Sequence, residues 1–137
     1  MFTLNKEDRV KKQIIQTNRA PKAIGPYSQG VRVGNFLFTA GQIPIHPETG
    51  EVVEGEIQNQ TTRVLENLKG VVEEAGGRLE DMIKTTVFLI DLKDFGAMNE
   101  VYGRYFPKEP PARSTIEVRN LPKGVRVEIE AIAMLTS

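Results

Sequence analysis

Cysteine is absent from all 137 residues, which excludes disulfides, thiolate nucleophiles and cysteine-ligated metal. Histidine occurs once, as His46 in the turn "IHPETG". Without a second imidazole or a thiol, it reads as turn decoration rather than as part of a triad or metal set. Net charge is also missing, since Lys+Arg and Asp+Glu number 18 each. No global field therefore recruits nucleic acid or anionic lipid, and the scattered basic residues form no nucleic-acid stripe. No apolar run reaches membrane-spanning length, and the charged opening "MFTLNKEDRVKK" is unlike a signal peptide, so a cytoplasmic location away from the membrane is expected. "GNFLFTAG" lacks the glycine spacing of a dinucleotide loop, and no P-loop, repeat or low-complexity tract occurs.

What is present is the composition of an ordinary soluble globular chain, 39% hydrophobic and 26% charged. Its length suits one domain with a real core. Residues 1–11 are polar and read as a loose arm, leaving residues 12–137 as a single domain. "QIIQT" is a short strand candidate. "VRVGNFLFTAG" reads as two strands folded about Gly34-Asn35, a dipeptide suited to the positive φ of a tight turn. "EIQNQTTRVLENLKGVVEEAGG" places Ile57, Val64, Leu65, Leu68, Val71, Val72 and Ala75 on one helical stripe, with Gly76-Gly77 as its stop. "MIKTTVFLID" switches to a β-branched run. "DLKDFGAMNEVYGRYF" returns to helical spacing through Leu92, Phe95, Met98, Tyr102 and Tyr105, and is closed by Pro107. "RSTIEV" and "VRVEIEAIAMLT" read as two last strands joined by "RNLPKG".

That order predicts an α+β fold with two helices packed on one face of a mixed sheet. Two helices cover one face, yet the last strand is apolar at both parities. Val127, Ile129, Ala131 and Ala133 point one way, and Ile132 and Met134 the other. The uncovered face predicts an oligomer. Glu128 and Glu130 share that second face. A carboxylate at such a boundary is either paired with Arg or Lys or held at a cleft for proton transfer. Ser28 and Ser114 carry no sign of a base partner. In "PPARSTIEV" the prolines stiffen the backbone entering Arg113. That residue is either a surface ion-pair partner or a guanidinium aimed at an anion.

The segments "RAPKAIGPYSQG", "FTAGQIPIHPETGE", "TTVFLIDLKDFGAMNEVYGRYF", "PPARSTIEVRNLPKG" and "VEIEAIA" together resemble the RidA (YjgF) family of reactive-intermediate deaminases, collinearly from about Lys12 to the C-terminus. The resemblance implies a chorismate-mutase-like α+β fold, assembled as a homotrimer about a central β-barrel with sites between subunits. It implies cofactor-independent hydrolysis of enamine and imine acids such as 2-aminoacrylate and 2-iminobutyrate. It implies Arg113 as the carboxylate clamp, Glu128 as the holder of the attacking water and Tyr27 as a pocket-closing group. Asn99 would stand at the site rim, and the backbone N–H groups of Gly41 and Thr115 would help hold the carboxylate. Glu130 would serve the trimer. Two positions depart from many relatives, which carry Cys where this chain has Thr115 and Ser where it has Ala40. The polar arm extends roughly ten residues beyond the family's usual start.

Two further readings compete. A non-enzymatic trimer binding small 2-keto acids or other carboxylates would use the same arginine but give Glu128 no chemical task. A ribonuclease, an activity attached to some relatives, finds little support in a single turn histidine and no basic stripe.

Overall fold

A computed structural model describes residues 5–6 and 11–136. The arm expected over residues 1–11 lies mostly outside the described residues. The first strand, β1 (Gln13–Ile15), is followed by the hairpin of β2 (Gly30–Val33) and β3 (Phe36–Thr39). Only Gly34 in its turn takes a positive φ, at 59°, the pattern of a II′ rather than a I′ turn. Helix α1 (Ile57–Glu74) comes next, then β4 (Met82–Leu89), α2 (Phe95–Tyr105), β5 (Ala112–Glu117) and β6 (Val127–Met134).

Helix α1 forms where the apolar stripe predicts it, with Val64, Leu65, Leu68, Val71 and Val72 fully buried. Each such side chain contributes about 1.5–3 kcal/mol through burial. Its end is a Schellman motif. Gly76 at φ 93° donates to Glu73 O (3.0 Å), and Gly77 donates to Val72 O (2.9 Å). Helix α2 keeps only part of the expected face. Met98, Val101 and Tyr102 are buried, whereas Leu92 and Phe95 are 47% and 38% exposed. Leu92 belongs to a separate 3-10 turn over Leu92–Asp94, so the helical period does not carry through it.

The six strands form one mixed sheet in the order β1-β2-β3-β6-β4-β5. All pairings are antiparallel except β4–β5, which is parallel and connected through α2. Both helices lie on one face, over Val127, Ile129, Ala131 and Ala133 of β6 and Thr85, Val87 and Leu89 of β4, all buried. The opposite face is bare in the single chain. Phe36, Phe38, Ile116 and Met134 are 41–51% exposed on it, and the pairs Phe36–Met134 and Phe38–Ile132 make an apolar row across two strands. Among the described residues no helix is long and apolar enough to cross a membrane.

Candidate active site

The alternation of β6 puts Glu128 on the bare face, half-buried between the core residues Val127 and Ile129. A bulge in the neighbouring strand makes room for it. Phe38 pairs with Ile132 and Gln42 bridges Ile129, so four steps on one side answer three on the other. Such a one-residue excess bends the strand and re-aims what it carries. Thr39 Oγ1 accepts from Ala131 N–H (2.9 Å) at one end, and the Gln42–Ile129 pair of hydrogen bonds closes the other. Gly41 lies inside the bulge, beneath the carboxylate. A β-carbon there would stand 2.0 Å from Glu128 Oε2, so only glycine admits the side chain in this position. The N–H groups of Ala40 and Gln42 are bonded to Gln29 O and Ile129 O, while that of Gly41 has no partner among the described residues.

A groove of about 750 Å³ opens over this carboxylate, lined by Tyr27, Ile24, Ile45, Pro47 and Lys123 among others. Buried amides brace its irregular walls. Gln29 ties down residues 17–21 through Thr17 N and O, Ala20 O and Pro21 O, and Asn67 donates to Ile43 O and Ile45 O. Burial pushes the Glu128 carboxyl above the ordinary glutamate range, and the neighbouring charge of Glu130 adds to the shift. No cation offsets this, for Glu128 makes no ion pair or hydrogen bond among the described residues. Of the two readings the sequence left open for it, pairing with Arg or Lys is not found among the described residues of the single chain.

Arg113 stands on the other face of the sheet. It pairs with Thr85 in the β4–β5 register, whereas Glu128 pairs with Phe88, three residues further along β4 and therefore on the opposite side. Its guanidinium lies over the rings of Tyr102 (4.7 Å) and Phe95 (5.4 Å). It too makes no ion pair or hydrogen bond among the described residues. Asn99 is half-buried and, four residues after Phe95 and three before Tyr102, falls on the same helical face as both rings. Thr115 follows Arg113 by two residues, and its Oγ1 is buried without a partner. Strand β5 is an edge. Val118 N–H bonds Leu89 O (2.8 Å), so alternation turns the N–H groups of Arg113, Thr115 and Glu117 to the open side.

The chain thus gathers its six expected residues as two sets of three: Tyr27, Gly41 and Glu128 on one face, Asn99, Arg113 and Thr115 on the other. Sequence reasoning missed several members. Phe95 and Tyr102 looked like core positions at helical spacing, and only their distance to Arg113 reveals the contact. Lys123 lines the groove with a left-handed backbone (φ 57°) beside Gly124 (φ 69°); the "PKG" turn was visible, its strain was not. His46 is exposed and does not line the groove. Among the described residues no group of three or more His, Cys, Asp or Glu could hold a metal ion.

Comparison with known proteins adds a lineage to this geometry. The family model described as Endoribonuclease L-PSP matches residues 17–135. A RutC family protein of Pyrococcus abyssi (strain GE5 / Orsay) is 60% identical over 122 residues, covering 89% of this chain and 96% of its own. TdcF of Escherichia coli K12, whose name proposes it as a reactive intermediate deaminase, is 51% identical over 126 residues, covering 90% and 97%. The crystal structure of E. coli TdcF with bound serine superimposes with a TM-score of 0.87 at 50% identity, covering 90% of this chain and 98% of that one.

Proposed function

The chain belongs to the Endoribonuclease L-PSP (YjgF/RidA) family, and from that premise we propose that it hydrolyses reactive 2-enamine and 2-imine acids to 2-keto acids and ammonia. The observation that carries this reading is a pair of uncommitted ionic groups. Glu128 sits in a groove with a raised pKa and no counter-ion, and Arg113 offers a guanidinium with no protein anion. Leaving a partly buried charge without a partner costs stability, so its persistence points to a ligand. The serine held by E. coli TdcF has the carboxylate and nitrogen of such a substrate.

The two halves face away from one another, so one chain does not complete the site. We propose a homotrimer in which the bare apolar faces of the sheets meet about a central barrel. The Glu128 groove of one subunit then receives the Arg113 side of the next. Burying Phe36, Phe38, Ile116 and Met134 there removes an exposed row that a lone monomer would carry at a cost in solubility.

Within that cleft the enamine tautomerises to its imine, and protonation of the nitrogen makes C2 electrophilic. Arg113 grips the carboxylate through its planar fork, helped by the free N–H groups of Gly41 and Thr115, which makes the addition effectively unimolecular. A water bonded to Glu128 attacks C2, its oxygen forms the new C–O bond, and Glu128 takes the proton. Glu128 returns that proton to the nitrogen of the resulting carbinolamine, which leaves as ammonia as the C–N bond breaks, while the hydroxyl group gives its proton to solvent and becomes the carbonyl of the 2-keto acid. No cofactor enters this scheme. Tyr27 at the groove lip closes over the reacting carbon.

The discriminating experiment supplies the imine from a threonine dehydratase and follows its disappearance with Arg113→Ala and Glu128→Gln. Removing a charge-assisted clamp should cost roughly 2–5 kcal/mol in transition-state binding, and Arg113→Ala should lose 2-ketobutyrate binding as well. Glu128→Gln should retain that binding while turnover falls by roughly 10²–10⁴-fold. Unchanged turnover in Glu128→Gln would remove Glu128 from the mechanism. Imine loss no faster with wild-type protein than without it, with binding still lost in Arg113→Ala, would replace the enzyme with a carboxylate-binding trimer.

A further inference from the structure

Arginines at ordered positions in proteins are usually fixed by carboxylates or carbonyls, but Arg113 is fixed by ring faces. Its guanidinium carbon lies 4.7 Å from the Tyr102 centroid and 5.4 Å from that of Phe95, both inside the range of about 6 Å over which a ring attracts a cation. The difference matters chemically. A carboxylate would occupy the fork and cancel its charge, and that pair would have to break before a ligand carboxylate could bind. A π face attracts the cation without offering a lone pair, so the five N–H donors remain available.

The rings are themselves held. The Tyr102 hydroxyl lies 2.6 Å from Thr85 Oγ1 in a buried hydrogen bond. The Tyr102 ring also packs on Phe106 at a centroid distance of 4.7 Å. Thr85 is the residue that pairs with Arg113 across β4 and β5. Strand register, the Thr85–Tyr102 hydrogen bond and the ring–guanidinium contact therefore form a closed circuit. We propose that Phe95 and Tyr102 are positioning residues, which hold the Arg113 guanidinium in place while leaving its donors free for the ligand's carboxylate. This rests on reading Arg113 as the carboxylate clamp.

Phe95 gives the cleaner test, because at 38% exposure its replacement should spare the fold, whereas Tyr102 is part of the core. Binding of 2-ketobutyrate is titrated by NMR, to tens of millimolar where needed, in wild type, Phe95→Leu, Arg113→Gln and the double variant. Phe95→Leu should weaken binding about three- to tenfold and raise KM for imine by the same factor, with kcat held within about twofold. Phe95→Tyr, which restores the ring, should restore the affinity. In the Arg113→Gln background the Phe95→Leu effect should shrink below about twofold, because nothing is left for the ring to position. An equal loss in both backgrounds would mean that the ring supports the fold or touches ligand directly, and would overturn the proposal. So would wild-type binding by Phe95→Leu. Wild-type binding by Arg113→Gln is a different failure, since it removes the clamp reading on which the proposal stands.

Discussion

Gly41→Ala is the smallest change that should disable the proposed chemistry. Its new methyl would stand 2.0 Å from Glu128 Oε2, 2.9 Å from Cδ and 3.1 Å from Cγ. Contacts of a β-carbon under 3.0 Å are essentially never seen, so the oxygen must retreat by at least about 1 Å. The backbone has little freedom to yield instead, because the bulge is pinned by the Thr39–Ala131 bond and the Gln42–Ile129 pair. The carboxylate is the free end of a side chain, so it swings away at a small cost in stability, within about 1 kcal/mol. A 1 Å error in a catalytic group costs on the order of 10²-fold, or about 2.7 kcal/mol of barrier. In the dehydratase-coupled assay kcat should therefore fall about 100-fold while 2-ketobutyrate affinity, set mainly by Arg113, stays within a few-fold. Combining Gly41→Ala with Glu128→Gln should add little, because the methyl acts by displacing the group the second change neutralises. Wild-type kcat from a normally folded Gly41→Ala protein would show that the placement of Glu128 is irrelevant to turnover.

Because Glu128 must be ionised to take a proton and its pKa is raised, activity should fall on acidification already above the ordinary glutamate range. Glu130→Gln, by removing the neighbouring charge, should move that acid limb to lower pH; an unmoved limb would assign it to another group. The same shift predicts a stability effect. The folded state favours protonated Glu128, so its contribution is fully present below the unfolded pKa and is lost as pH rises through the raised folded one. Glu128→Gln should therefore leave Tm at neutral pH unchanged or higher. Phe38→Glu, placing a charge in the exposed apolar row, should give a monomer's mass by sedimentation equilibrium; a native monomer in the wild type would refute the trimer. Arg32 is 1% exposed and donates to Gly34 O (2.9 Å) and to Ala75 O at the end of α1 (2.8 Å). Arg32→Met should thus cost about 3 kcal/mol in denaturant unfolding.

The sequence made the periodic parts of the molecule legible because burial repeats with the geometry of the element. The stripe from Ile57 to Ala75 and the two parities of β6 follow directly from spacings of 3.6 and 2. Helix α2 was legible in kind but only partly in face. Leu92 and Phe95 match the helical period, yet one lies in a 3-10 turn and the other serves Arg113 rather than the core. A period cannot tell a core contact from a contact with a charged side chain. The bulge at Gly41 left no trace in "FTAGQIP", because a one-residue slip between two strands belongs to their pairing and to neither strand alone. Conversely Arg113 and Glu128 stood out in the sequence as candidates, but their placement on opposite faces required the register of β4 with both neighbours.

That placement also constrains how the proposed catalysis could work. The proposed clamp and base, lying on opposite faces of one sheet, cannot act on the same small molecule within one chain, since the sheet and its packed side chains stand between them. A monomeric enzyme would need both on one side, which a one-residue shift of β5 against β4 would give, because side-chain direction alternates at every step. The parallel β4–β5 register is instead fixed over six pairs from Lys84–Ala112 to Leu89–Glu117, so the separation is built into the fold. The proposed association would then do two things with one surface. In the proposed trimer it would cover the row formed by Phe36, Phe38 and Met134, and would bring a neighbour's guanidinium to a carboxylate that has none of its own. Activity should therefore follow the assembled fraction. On dilution through the dissociation range, rate per subunit should fall with the loss of oligomer. A rate that stays constant while the mass drops to that of one chain would place both groups in a single subunit and contradict the register.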